Sequence, residues 1–102
     1  MLTKENLEAE IQKVLSQLKD KYHPEKVILF GSAVEINDLD FLVIKRDVPE
    51  LGIDRLYEVN PIIDRSSAVD ILVYKPEEIE ELMMLGDPFI KKIMADGRVI
   101  YG

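Results

Sequence analysis

The sequence contains no cysteine. That excludes a disulfide framework and a thiolate metal site alike. Long apolar runs are absent too. None approaches the length needed to span a membrane, and Met1-Leu2-Thr3-Lys4-Glu5 carries no apolar signal region. A cytoplasmic protein with no membrane association is the expectation. Basic residues are scarce: 13 Lys and Arg stand against 20 Asp and Glu, for a formal net charge of −7. No basic cluster exceeds Lys45-Arg46 or Lys91-Lys92. Affinity for long nucleic acid comes from Lys and Arg neutralising phosphates, so DNA or RNA is a poor partner for this chain. A single nucleotide held through a metal ion remains compatible with it. The one histidine, His23, precedes Pro24 and reads as a solvated connector. No internal repeat or low-complexity tract is visible.

What is present describes one soluble domain over residues 1–102, with 47% hydrophobic and 32% charged residues. Leu7, Ile11, Val14, Leu15 and Leu18 recur at helical spacing, which predicts a helix over about 4–21 with Thr3 as its N-cap. His23-Pro24 ends it. Lys26 to Phe30 reads as a buried strand, and Leu39 to Ile44 as a second. The link from Ala33 to Asn37 is too short for a parallel crossover, so these strands, if adjacent, run antiparallel. In residues 45–68, Leu51, Leu56, Val59 and Ile63 suggest a helix that Gly52 and Asn60-Pro61 interrupt, and two short helices broken near Pro61 fit equally well. A third strand, Val69 to Tyr74, follows after enough chain for a helical crossover and can run parallel to the second. Pro76 opens a helix that Gly86 closes; Asp87-Pro88 opens another through Ala95; Arg98 to Tyr101 is a last strand. The fold class is α/β (α+β) with a mixed sheet.

The chemistry concentrates between Phe30 and Leu42. Alternation puts Asp38 and Asp40 on one face of the second strand, with Cα atoms roughly 7 Å apart. If the second and third strands start in register, Asp70 joins them. Acids beside one another repel unless a cation lies between them, and a divalent metal is the usual answer. Gly31-Ser32 offers backbone N–H groups and a hydroxyl suited to phosphate. The alternative is that Asp38 caps a turn while Asp40 and Asp70 face water, and that Gly31-Ser32 is an ordinary turn. An EF-hand does not fit, because the glycine and the closing glutamate are missing at the required offsets. Lys45, Arg46 and Arg65 are candidates to reach a triphosphate, against a solvated role for each. Met83 and Met84 read as core filler or contact surface, Leu82 to Leu85 as the first candidate for a partner contact, and Tyr57, Tyr74 and Tyr101 as packing residues.

Taken together, Val27-Ile28-Leu29-Phe30-Gly31-Ser32, Asp38-Leu39-Asp40-Phe41-Leu42-Val43 and Val69-Asp70-Ile71-Leu72 resemble the minimal nucleotidyltransferase family of the DNA polymerase β-like superfamily. The tail from Phe89 to Tyr101 is similar to how such chains end. The resemblance implies a helix–strand–helix–strand–connection–strand fold with core sheet order 1-2-3. It implies transfer of a nucleoside monophosphate from an NTP, with ATP the first candidate, to a hydroxyl acceptor. Asp38 and Asp40 would hold two Mg²⁺, Asp70 would bind the catalytic metal and help deprotonate the acceptor, and Gly31 and Ser32 would grip the terminal phosphates. Such proteins are often paired, as antitoxins, with a helical HEPN-domain partner, and a homo-oligomer is open as well. The chain departs from the family in a shorter link between Ser32 and Asp38, and in Ala33-Val34-Glu35 where a basic residue commonly follows Gly-Ser. The rival expectation is a binding module that masks a partner, or senses nucleotide, without catalysis.

Overall fold

The computed structural model describes residues 4–31, 38–64 and 68–102, with the side chains of Lys4, Glu5, Asp38 and Ala68 outside the description. The elements run α1 (Lys4–Lys21), β1 (Lys26–Phe30), β2 (Asp38–Ile44), α2 (Gly52–Val59), a 3-10 turn (Asn60–Ile62), β3 (Ala68–Tyr74), α3 (Pro76–Leu85), α4 (Pro88–Asp96) and β4 (Arg98–Tyr101). The expected N-cap Thr3 and the expected helix between β1 and β2 lie outside the described residues.

Four strands form one mixed sheet in the order β3-β2-β1-β4. The seven-residue link between β1 and β2 is too short for a parallel crossover, and the two strands pair antiparallel, with Val27 opposite Val43 and Phe30 opposite Asp40. The segment through α2 lets β3 run parallel to β2 with Leu39 opposite Val69. β4 adds to the other side of β1, antiparallel, with its register shifted between Val27 and Ile28.

Alternation along these strands builds two cores. On one face Val27, Leu39, Phe41, Val43, Val69, Ile71 and Val73 meet Ile11, Val14, Leu15 and Leu18 of α1, with Val59 of α2. On the other, Ile28, Leu42 and Ile44 meet Ile79 of α3 and Ile90 and Ile93 of α4. The result is three layers with the sheet in the middle, the buried side chains of β1, β2 and β3 divided by parity between the two helix layers. Asp40 and Asp70 belong by parity to the α3–α4 face.

Local chemistry fixes the helix ends. Asp87 caps α4 by accepting from the Ile90 N–H at 2.9 Å, and Pro88 occupies the first turn, where its missing donor costs nothing. α4 is followed at once by Gly97. A Cβ there would fall 2.5 Å from the Ile93 carbonyl oxygen and 2.6 Å from Ile28 Cγ2, so only glycine lets the helix end this close to β1. α1 leaves through His23, whose N–H reaches the Leu18 carbonyl at 3.0 Å and whose φ of 57° is left-handed.

The middle of the chain, which the sequence left between one helix and two, is α2 followed by the 3-10 turn carrying Pro61. It is anchored by a side chain whose burial no pattern announced. Arg55 is 3% exposed. Its guanidinium donates to Glu78 Oε1 and Oε2 at 2.7 and 3.1 Å, and to the carbonyls of Pro49, Val73 and Glu50 at 2.6, 3.1 and 3.2 Å. Hydrogen bonds to Glu78 raise the Arg55 pKa, and the same bonds hold the Glu78 carboxyl below its ordinary value. Glu78 Oε1 also accepts the Lys75 N–H at 2.7 Å, tying the start of α3 to the same cation. The crossover between β2 and β3 is thus fastened at one end by a single buried charge.

Candidate functional site

The register that positions the site follows from the connections. Asp40 sits in β2 with Phe30, the last residue of β1, on one side and Asp70 of β3 directly opposite on the other. Adjacent strands lie about 4.8 Å apart, so these two acids stand side by side on one face. Asp40 is half-buried and Asp70 exposed. Asp38 lies opposite Ala68, two residues earlier in β2, and its side chain is outside the described residues, as is all of Ser32. Among the described residues no group of three or more acidic or histidine side chains is gathered for a metal. The expected trio is therefore represented by the pair Asp40 and Asp70, both bearing the hard oxygen donors that suit Mg²⁺.

Gly31 closes the site from the β1 side. Its φ is 87°, a left-handed conformation that glycine adopts without a Cβ penalty. A Cβ at this position would also overlap Asp40 Oδ2. The turn and the carboxylate therefore share the same space. Any side chain at residue 31 pushes Asp40 away from the end of β1.

Beside this pair a cavity of about 500 Å³ opens between the end of β1 and α4, lined by Phe30, Gly31, Asp40, Phe89, Lys92 and Asp96, among others. Phe89 stands edge-on to Phe30, with ring centroids 5.8 Å apart and planes at 85°. The sequence carries no functional signal at the cavity residues of α4, because Phe89 and Lys92 look like ordinary members of an amphipathic helix. Only their place in the family-like tail marked them.

Of the three basic residues that were candidates to reach a triphosphate, two lie elsewhere. Lys45 and Arg46 follow β2 at its C-terminal end, five or more residues and roughly 16 Å from Asp40 along the strand. Lys45 Nζ lies 4.2 Å from the Tyr22 ring centroid and donates to the Tyr22 carbonyl at 2.5 Å. Arg46 pairs with Glu25, Nη2 to Oε1 at 3.9 Å. Lys45 and Arg46 thus fasten the connection after β2 to the exit from α1. Arg65 lies outside the described residues. The buried Tyr22 phenol sits in this same region, its pKa pushed up to about 12, mainly by burial. Tyr57, expected to pack, is 70% exposed, whereas Tyr74 packs with the α3–α4 core and Tyr101 stacks under Lys19. Met83 and Met84 are exposed rather than core.

No helix among the described residues is long and apolar enough to cross a membrane. Comparison with family models, with curated proteins and with solved structures finds no match to this chain.

Proposed function

We propose that this chain is a metal-dependent nucleotidyltransferase with a polymerase β-like core, moving a nucleoside monophosphate from an NTP to a hydroxyl. One observation carries the reading: the parallel register that sets Asp40 against Asp70, with the left-handed Gly31 turn closing on Asp40. The order β3-β2-β1 with one antiparallel and one parallel pairing supports it, since it matches the core order 1-2-3 implied by the resemblance.

Two carboxylates held in register on a sheet form a site of concentrated negative charge, which a polyanionic substrate enters only with cations. Asp40 and Asp70, with Asp38 earlier on the same strand, would hold Mg²⁺, which supplies charge neutralisation for the triphosphate and the developing pyrophosphate. The backbone N–H of Gly31 would meet the terminal phosphates, and Ser32, outside the described residues, is the other candidate the resemblance gives. In the transfer itself the acceptor oxygen attacks the α-phosphorus and the bond from that phosphorus to the bridging oxygen of the β-phosphate breaks. Pyrophosphate leaves, and the hydroxyl proton passes to a carboxylate, the role the resemblance gives Asp70.

The test is transfer. The chain is incubated with α-labelled NTPs, Mg²⁺ and either small hydroxyl acceptors or a co-expressed helical partner of the HEPN type. Label reaches an acceptor with the native chain and not with Asp40→Asn. Absence of label from every acceptor, together with no heat of binding for any of the four NTPs, overturns the reading.

A second reading, a non-catalytic module that masks a partner, is favoured by the end of α3, where Met84 is 88% and Leu85 75% exposed. It expects a complex, with a partner or a second copy, whose stability is unchanged by Asp40→Asn.

A further inference from the structure

The geometry points to the cavity beside α4 as the seat of the nucleobase, an assignment that rests on the nucleotidyltransferase reading and adds where the rest of the nucleotide lies. The cavity and the acid pair are continuous: Asp40 and Gly31 line the cavity and belong to the proposed phosphate and metal site. A nucleotide anchored by its phosphates at Gly31 and Asp40 therefore has a recess at hand for its other end. That recess, at about 500 Å³, falls within the range of about 300–1,000 Å³ found for small-molecule sites.

Its lining suits a flat heteroaromatic ring. Phe30, Phe89 and Ile93 supply its apolar lining, with Gly97 adding no side chain. Lys92 brings N–H donors and Asp96 carboxylate acceptors, the two kinds of group needed to meet the edge of a base. Phe89 is 49% exposed, an aromatic ring with much of its face still open to be covered. Its contact with Phe30 is edge-to-face rather than stacked. A stacked base would bury that face, and every base has a π surface to offer. The occupant is therefore the base of the nucleoside triphosphate, held through stacking on Phe89 and edge contacts to Lys92 and Asp96.

The experiment separates the two ends of the nucleotide. Calorimetry on the full chain with Mg²⁺ compares ATP with inorganic tripolyphosphate, which has the phosphates and lacks the base. ATP binds the tighter of the two. Phe89→Ala weakens ATP by roughly five- to 150-fold, the worth of one base–aromatic stack, and leaves tripolyphosphate unchanged. Lys92→Ala, an exposed position that carries the test if Phe89→Ala disturbs folding, weakens ATP alone by about fivefold. If ATP binds no tighter than tripolyphosphate, or both variants bind ATP as the native chain does, the base is not in this cavity. In that case tripolyphosphate binding that is lost in Asp40→Asn still upholds the metal and phosphate site. If neither molecule binds, the nucleotidyltransferase reading falls and this assignment falls with it.

Discussion

Replacing Arg55 with methionine removes the charge at the end of the crossover while keeping an unbranched apolar stem. The native guanidinium satisfies both oxygens of Glu78 and the carbonyls of Pro49, Glu50 and Val73. In Arg55→Met those three carbonyls lose a donor and Glu78 loses its cation. Glu78, whose side chain is 34% exposed, recovers some solvation, so the cost is below the sum of the bonds. About 3–5 kcal/mol is expected, the usual result of breaking a buried pair from one side. A domain of 102 residues holds about 5–15 kcal/mol in all, so about a fifth or more of its stability is at stake. With a urea slope near 2 kcal/mol/M, the unfolding midpoint drops by roughly 1.5–2.5 M. Glu78→Gln keeps the shape and the acceptor for the Lys75 N–H but discards the charge, for about 1.5–3 kcal/mol. The control is Arg46→Met, whose pair with Glu25 is solvent-exposed and worth no more than about 1 kcal/mol.

The same pair predicts a pH dependence. The folded pKa of Glu78 lies below its ordinary 4.5, chiefly through the hydrogen bonds from Arg55. Its contribution is therefore complete above pH 4.5 and is lost as pH falls through the lower, folded value. Urea midpoints measured from pH 7 down to pH 3 decline more steeply for the native chain than for Glu78→Gln. An Arg55→Met midpoint no lower than that of Arg46→Met, or equal pH slopes with and without Glu78, would refute the reasoning.

Gly31→Ala places a Cβ at a φ of 87° and into Asp40 Oδ2, so it costs about 1–2 kcal/mol for the backbone alone and also weakens Mg²⁺-dependent nucleotide binding; urea unfolding and calorimetry read the two losses separately. His23→Gly relieves a left-handed residue on the way out of α1, and the melting curve shows a gain of about 0.5–1 kcal/mol, because relief of strain exceeds the added freedom of the unfolded chain. Asp70→Asn removes like-charge repulsion opposite Asp40, so in EDTA it stabilises by about 0.2–1 kcal/mol, while the stabilisation that Mg²⁺ gives the native chain disappears.

The parts of the architecture that were legible in the sequence are those fixed by local rules. The apolar spacing in α1, the proline and glycine that bracket α3, and the short link that makes β1 and β2 antiparallel each act over a few residues. The pairing of Asp40 with Asp70 was legible for the same reason, since a crossover of sufficient length permits parallel strands that start together. What was not legible depends on convergence from distant segments. Arg55 reads as one more charge on an amphipathic helix until Pro49, Glu50, Val73 and Glu78 are gathered around it. Lys45 reads as a solvated residue, with reach to a triphosphate the other candidate role, until the Tyr22 ring is found beneath it. The place of β4 next to β1 could not be derived either: a four-residue strand, mostly exposed, carries no mark of which neighbour it joins. The α4 cavity needs both the close approach at Gly97 and the end of β1 before it exists.

Sheet order has a steric corollary for anything that reacts at the acid pair. Among the described residues β3 is bordered by a strand on one flank only, so Asp70 occupies an outer rail while Asp40 lies inboard. On the proposed reading, and among the described residues, a hydroxyl carried on a bulky body, such as the surface of another folded protein, would come alongside that rail rather than through the recess next to α4. Donor and acceptor would then arrive from different sides and need not compete for one entrance.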